Sequence, residues 1–292
     1  MAAQAFDDRD GWIWLDGEFV SHRDAKMHVL THAMHYASAV FEGERAYGGT
    51  VFKSREHSER LRQSARILGF SLPYSVEELD RVKAELILKQ DMPDCYVRAV
   101  AWRGSEQMGV SAKRDDVHVA VASWLWGDYF ADRMKGIRLM IAPWRRPAPD
   151  TAPANAKAAG LYMICTLSRH AATDSGFDDA LMFDWRGQIA EATGANIFFA
   201  RDGVLHTPTP DCFLNGITRQ TIIGLARSRG IEVIERAIFP NELATFEEAF
   251  LTGSAAEVTP IREIAGLPFK PAAICEQMVH DYAALTRRKN AA

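Results

Sequence analysis

Apolar residues along this chain recur in two rhythms, every second residue or every third and fourth, and the changes of rhythm mark its elements. Residues 12–20 alternate on either side of Asp16-Gly17, a dipeptide that tolerates positive φ, which predicts two short strands in a hairpin. Residues 45–53 repeat the pattern around Gly48-Gly49. Helical spacing follows over 54–69, where Leu61, Ala65 and Leu68 form one stripe and Gly69 a stop. Ser75 with Glu78 three residues on predicts a capping box, and Leu79, Val82, Leu86 and Ile87 carry that helix to about residue 90. Residues 95–102 and 117–126 are β-branched and aromatic runs that suit strands of one sheet.

The polar stretch 127–136 is the best boundary in the chain. It divides a small α+β domain, 1–127, from a large α/β domain, 137–292, with a linker at 128–136. Strand character resumes over 137–144, and a proline-rich loop then leads to Lys157. A helix is expected over 158–173, with Leu161, Ile164, Cys165 and Leu167 on its apolar side. Strands follow at 180–184 and 189–200, and Asp202-Gly203 marks another hairpin. Residues 216–230 read as a glycine-stopped helix, 231–238 as a strand, 240–245 as a short helix, 249–261 as a strand pair broken by T-G-S-A-A, and 270 onward as a closing helix. Mixed strands and helices in both parts predict an α/β (α+β) fold of two domains.

Charge narrows the partners. A formal charge of -4, with both signs interspersed, offers no basic face for nucleic acid and no polybasic membrane anchor, so a small molecule is the expected partner. Cys95, Cys165, Cys212 and Cys275 form no C-x-x-C and sit in apolar surroundings, as reduced core thiols do. With no apolar run of membrane length and no basic-then-apolar start, the expected location is the cytoplasm.

Three stretches can carry chemistry. Lys157, flanked by Ala156, Ala158, Ala159 and Gly160, precedes the expected helix, whose positive dipole end would destabilise an ammonium, and its small neighbours leave room for a ring. Glu191 interrupts the apolar run 189–199, where a buried carboxylate needs something positive to face it, unless it points to solvent. Gly216-Ile217-Thr218-Arg219 opens a helix with N–H groups that attract phosphate, and the small-residue turn 252–256 could complete that site or bind a carboxylate. A reactive amine, a carboxylate and a phosphate cradle are the parts a protein needs to hold pyridoxal phosphate. His28, His32 and His35 would share one helical face and could bind a metal, but no acidic or cysteine ligand adjoins them, so no metal is expected.

These motifs, in this order from Trp12 to about Gly266, resemble the fold-type IV (class IV) pyridoxal-phosphate aminotransferases, whose architecture is that of the D-amino acid aminotransferases, and within them the branched-chain amino acid aminotransferases. The resemblance implies that Lys157 bonds the cofactor, that the Tyr162 hydroxyl faces its phenolic oxygen and that Glu191 pairs with its ring nitrogen. It further implies that Arg60, Ile217, Thr218 and Ser254 hold its phosphate. Tyr36, Phe41, Gly43, Arg45, Tyr96, Arg98, Met108, Gly109, Val110, Trp126 and Tyr129 resemble the substrate pocket. Aromatic walls suit Leu, Ile and Val, and an arginine suits the distal carboxylate of glutamate. Ala255 and Ala256 resemble the site for the substrate α-carboxylate.

The implied reaction is transamination of branched-chain L-amino acids with 2-oxoglutarate to branched 2-oxo acids and L-glutamate, by a homodimer or homohexamer. Relatives of the same fold act on D-amino acids or (R)-amines, or eliminate from aminodeoxychorismate, and these remain alternatives. A histidine-based metal hydrolase and a non-catalytic cofactor carrier are more distant ones. Three positions depart from the family: Ala99 where proline is frequent, Leu161 where asparagine is frequent, and Glu44 where an aliphatic residue is usual.

Overall fold

The computed structural model describes residues 4–114, 116–127 and 135–287. They form two compact units, Met1–Trp126 with Ala156–Gly160, and Gly127–Asn155 with Leu161–Ala292. Most of the expected linker, 128–134, lies outside the described residues. Residues 156–160, which a boundary at 137 assigns to the second domain, cluster instead with the first unit.

The first unit runs β1 (Trp12–Leu15), β2 (Glu18–Ser21), α1 (His32–Tyr36), β3 (Ala39–Phe41), β4 (Glu44–Tyr47), β5 (Thr50–Val51), α2 (Ser54–Ile67), α3 (Val76–Gln90), β6 (Cys95–Arg103) and β7 (Val117–Trp124). Its antiparallel sheet has the order β2-β1-β7-β6-β4-β5, with β3 also on β6. The hairpins turn where the glycine-bearing dipeptides predict. Ser75 Oγ accepts from the Glu78 N–H at 3.1 Å and Glu78 Oε2 accepts from the Ser75 N–H at 2.7 Å, the expected capping box. Alternate residues Val97, Ala99 and Ala101 of β6 and Val119 and Val121 of β7 are fully buried, in one core with Leu61, Ala65, Leu79 and Leu86 of the two long helices. Each fully buried leucine side chain contributes roughly 1.5–3 kcal/mol relative to exposure. Strand β3 has no counterpart among the expected elements, because three residues without alternating polarity give no period to read.

The second unit contains β8 (Ile137–Ile141), α4 (Met163–Asp174), β9 (Asp179–Phe183), β10 (Ile189–Ala192), β11 (Asn196–Arg201), β12 (Val204–Pro208), α5 (Ile217–Ser228), β13 (Val233–Arg236), β14 (Glu248–Gly253), β15 (Glu257–Ile264), β16 (Leu267–Pro268) and α6 (Ala273–Thr286). Strand order is β10-β9-β8-β15-β14-β11-β12-β13, and an additional β10–β11 pairing closes the strands from β10 to β11 into a ring. That closure is made at a single pair, Glu191 opposite Asn196. Ile137, Leu139, Leu181, Ile197, Leu251 and Ile261 form one buried core of this unit. The fold is thus mixed α/β with parallel pairings at β8–β9, β8–β15 and β12–β13.

Two expectations are corrected. The single strand over 189–200 is two strands, because residues 193–195 turn the chain and the Ala192 N–H donates to the Ala195 carbonyl at 2.8 Å. The helix expected over 158–173 starts at Met163, after a bridge from Ala158 to Val40 and a 3-10 turn at Ala159–Tyr162. Apolar spacing is blind to the main-chain pairing that holds Lys157 and Ala158 against Val40 and Phe41.

Candidate active site

Lys157 lies beside β3 in the first unit. Its carbonyl accepts from the Phe41 N–H at 3.1 Å and its own N–H donates to Ser64 Oγ of α2 at 3.0 Å. The residue is therefore held by main chain on one side and a helix side chain on the other, and its ammonium stands 4.9 Å from the centre of the Phe41 ring. No α-helix begins here, so the helix-dipole reason for a reactive amine falls away.

The same ring carries a second cation: the Arg98 guanidinium lies 4.7 Å from its centre, and Arg98 Nη2 donates to Tyr96 Oη at 3.3 Å. Tyr96 in turn stacks on Trp126 with ring centres 4.9 Å apart, and Arg45 Nη2 donates to the Trp126 carbonyl at 3.4 Å. Gly43 is required in this wall, because a Cβ there would run into the Tyr96 hydroxyl. Phe41, Gly43, Arg45, Tyr96, Arg98 and Trp126 are thereby brought together, with alternate strand residues supplying one polar and aromatic face.

Tyr36, Met108 and Val110 are exposed. His32 links their two segments, with Nδ1 2.7 Å from Ser38 Oγ and Nε2 2.9 Å from the Gly109 carbonyl. His35 pairs with the Val29 carbonyl and His28 accepts from the Leu30 N–H. Since α1 spans only His32–Tyr36, the three histidines do not line one helix face, and each ring serves a local hydrogen bond. Tyr129 lies outside the described residues.

Arg60 points its Nε and Nη2 at the two oxygens of Glu42, both at 2.7 Å, and His57 Nδ1 donates to Glu42 Oε2 at 2.7 Å. Burial pushes the fully enclosed Glu42 carboxyl up, but the Arg60 charge and the Arg60 and His57 hydrogen bonds outweigh it and hold the group below the usual carboxylate range. The departure at Glu44 has its own answer: Lys83 of α3, equally buried, donates to Glu44 Oε2 at 2.8 Å and to Ser58 Oγ at 2.8 Å.

In the second unit Glu191 sits at the ring's closing pair. Asn196 Nδ2 donates to Glu191 Oε2 at 3.1 Å and Arg146 Nε lies 3.4 Å from Oε1. The positive group expected to face Glu191 is thus present within the chain, on the proline-rich loop. Asn196 also accepts from the Gly216 N–H at 3.1 Å and donates to the Leu214 carbonyl at 3.0 Å, which ties the carboxylate to the start of α5. Gly216 approaches the Asn196 side chain too closely for any Cβ. No side chain caps α5, so the N–H groups of its first turn, Ile217 and Thr218 among them, have no partner within the helix. Arg219, fully buried, braces that turn through Asn215, Pro208 and Glu235.

Ser254, Ala255 and Ala256 form the turn between β14 and β15. Thr252 Oγ1, buried and without a hydrogen-bond partner among the described residues, adjoins it, opposite Asn196 on the neighbouring strand. A buried orphan hydroxyl and a helix start without a cap fit a phosphate-bearing ligand. Tyr162 precedes the first residue of α4. Among the described residues the acidic and thiol groups close enough to share a metal are Asp184, Asp211 and Cys212, where Asp184 is already bonded to Arg186. Glu42, Asn196 and Arg146 escape a reading of the sequence, since their roles arise from contacts across 15 residues or more or across a turn.

The model of the family "Amino-transferase class IV" matches residues 39–264. A curated relative, the branched-chain-amino-acid aminotransferase of Pseudomonas aeruginosa, is 42% identical over 265 residues, covering 89% of this chain and 86% of the relative. The crystal structure of the branched-chain aminotransferase from Thermoproteus uzoniensis with norvaline superposes with a TM-score of 0.93 at 36% identity, covering 97% of each chain. The T.th. branched-chain amino acid aminotransferase complexed with N-(5'-phosphopyridoxyl)-L-glutamate gives 0.91 at 35% identity, covering 97% of this chain and 96% of that one.

Proposed function

The chain belongs to the class IV aminotransferase family, and from that premise we propose that it moves the amino group of branched-chain L-amino acids to 2-oxoglutarate with pyridoxal phosphate as cofactor. The observation that carries this reading is the pairing of Lys157 and Arg98 over one Phe41 ring. An amine that makes and breaks bonds to the cofactor, a cation for a carboxylate and an aromatic surface for an aliphatic side chain then stand together, which suits one pocket that takes leucine and glutamate in turn.

When bound, pyridoxal phosphate supplies an electron sink for the pair left behind when a Cα–H bond breaks. Lys157 Nζ would hold the cofactor aldehyde at rest and, once freed by an incoming amino acid, would take the proton from Cα as general base and deliver it to the cofactor's C4′ carbon as general acid. Glu191, kept in place by Asn196 and Arg146, would face the ring nitrogen and keep it protonated. Tyr162 would face the phenolic oxygen. Arg60, the N–H groups of Ile217 and Thr218, and Ser254 would bind phosphate, and the N–H groups at Ala255 and Ala256 the substrate α-carboxylate. The relative solved with a phosphopyridoxyl-glutamate adduct supports both the cofactor and the glutamate arm.

Exposed apolar Tyr36, Met108 and Val110, expected in the pocket, are surfaces a second copy would cover, which supports a homodimer or homohexamer. Among the described residues no helix is long and apolar enough to cross a membrane, and four buried free cysteines support a reducing cytoplasm. The deciding measurement is a donor panel with 2-oxoglutarate. Leucine, isoleucine and valine should turn over, whereas fast turnover of only D-alanine and (R)-1-phenylethylamine sinks the reading.

A further inference from the structure

Buried ion pairs do not by themselves stabilise a fold, because apolar residues of similar volume commonly do as well. The Glu42 cluster calls for another reason. Glu42 follows Phe41, whose N–H donates to the Lys157 carbonyl, while its own N–H donates to the Ala99 carbonyl at 2.7 Å. Its carboxylate then reaches α2, where His57 and Arg60 share a helix face with Ser64, the residue that accepts from the Lys157 N–H. A closed path of hydrogen bonds and main chain runs from Lys157 through Phe41, Glu42 and α2 back to Lys157.

We infer that Glu42, seconded by His57, is a positioning residue that aims the Arg60 guanidinium at a phosphate monoester. This rests on the reading of Arg60 as a phosphate ligand. The Nε–Nη2 edge is taken up by Glu42, so the plane of the guanidinium and the direction of its Nη1 side are set by a fully buried group. Two effects oppose each other when Glu42 becomes glutamine. A negative charge near the phosphate is lost, which favours binding, but one amide oxygen must now serve the three donors that the two carboxylate oxygens serve, and the amide N–H groups face other donors. Arg60 is displaced, and since arginine recognises phosphate through a fixed fork, orientation wins.

The test strips the full chain of cofactor and measures rebinding by absorbance, using pyridoxal phosphate and unphosphorylated pyridoxal. Glu42→Gln should lower affinity for the phosphate form about tenfold, the scale of one charge-assisted hydrogen bond, and leave pyridoxal within about twofold. His57→Gln should shift the preference in the same direction by less, and serves should Glu42→Gln fail to fold. Arg60→Gln is the control. If it keeps the preference for the phosphate form, the phosphate reading of Arg60 falls and the inference with it. If Arg60→Gln loses the preference while Glu42→Gln keeps or strengthens it, the inference alone is overturned. An equal fall for both ligands marks Glu42 as merely structural and also overturns it.

Discussion

Two regions are candidates for holding an anion, and they are built on opposite plans. Around β3 and α2 the groups are charged or titratable side chains, Arg60 and His57 on Glu42, with Lys83 on Glu44 beside them. Around the start of α5 the groups are main-chain N–H donors, held in place by the neutral amide of Asn196 and by the absence of a side chain at Gly216. A charged group drawn into a core must bring a counter-charge and further hydrogen bonds, whereas a main-chain donor needs only a turn of the right shape. The first plan spreads its requirements over distant segments, and the second keeps them local.

Lys157→Ala removes the side-chain amine while keeping the main-chain bonds to Phe41 and Ser64. Turnover of leucine with 2-oxoglutarate should fall about 10⁴-fold, the upper range for a positioned proton carrier, and the absorbance band near the visible edge that a lysine-bound pyridoxal phosphate would give should be lost. Full turnover in that variant would sink the assignment of Lys157. Lys83→Met strands Glu44 in the core and should cost about 3–5 kcal/mol in denaturant unfolding, while the double variant Glu44→Leu/Lys83→Met should recover most of it. Equal losses in both variants would mean that packing, not charge pairing, matters there. Gly216→Ala puts a methyl group against Asn196, an overpacking penalty of about 1–3 kcal/mol. It should appear as weaker binding of pyridoxal phosphate together with a melting temperature lowered by a few degrees, and unchanged binding would remove Gly216 from the phosphate site.

The smallest effect separates the two plans by pH. The folded-state pKa of Glu42 is depressed, so its stabilisation is present above the ordinary value of 4.5 and is lost as pH falls below it. Glu44, where burial outweighs Lys83 and raises the pKa, has the opposite sign, stabilising below its ordinary value and losing that contribution as pH rises. The drop in unfolding midpoint between pH 7 and pH 4 should therefore be smaller in Glu42→Gln than in the unaltered protein. The Asn196–Gly216 clamp does not titrate, and Asn196→Asp would introduce a dependence where none is expected.

Local signals in the sequence are legible and distant ones are not, and the same contrast explains why. Hairpins at Asp16-Gly17 and Asp202-Gly203 and the helix behind Ser75 depend on neighbours within a few residues, and the structure has them. The carboxylate at Glu191 and the glycine-led helix start are visible from local composition alone. Arg60 and Tyr162 are reached only through family resemblance, because nothing in their own neighbourhoods distinguishes them from surface residues. The split of 189–200 into two strands is hidden by an apolar run in which Gly194 is the one cue. The pairing of Lys157 and Ala158 with β3 is a main-chain contact that periodicity does not reveal.

The pair Glu191–Asn196 is the last stitch of the second unit's ring, and this bears on redesign. A substitution that disturbs the turn at 193–195 tampers with the seam of the ring, so a looser fold and a looser Glu191 should arrive in the same variants. The Phe41, Tyr96 and Trp126 wall belongs to the other unit, so substitutions there leave that seam intact and act through their own stacking.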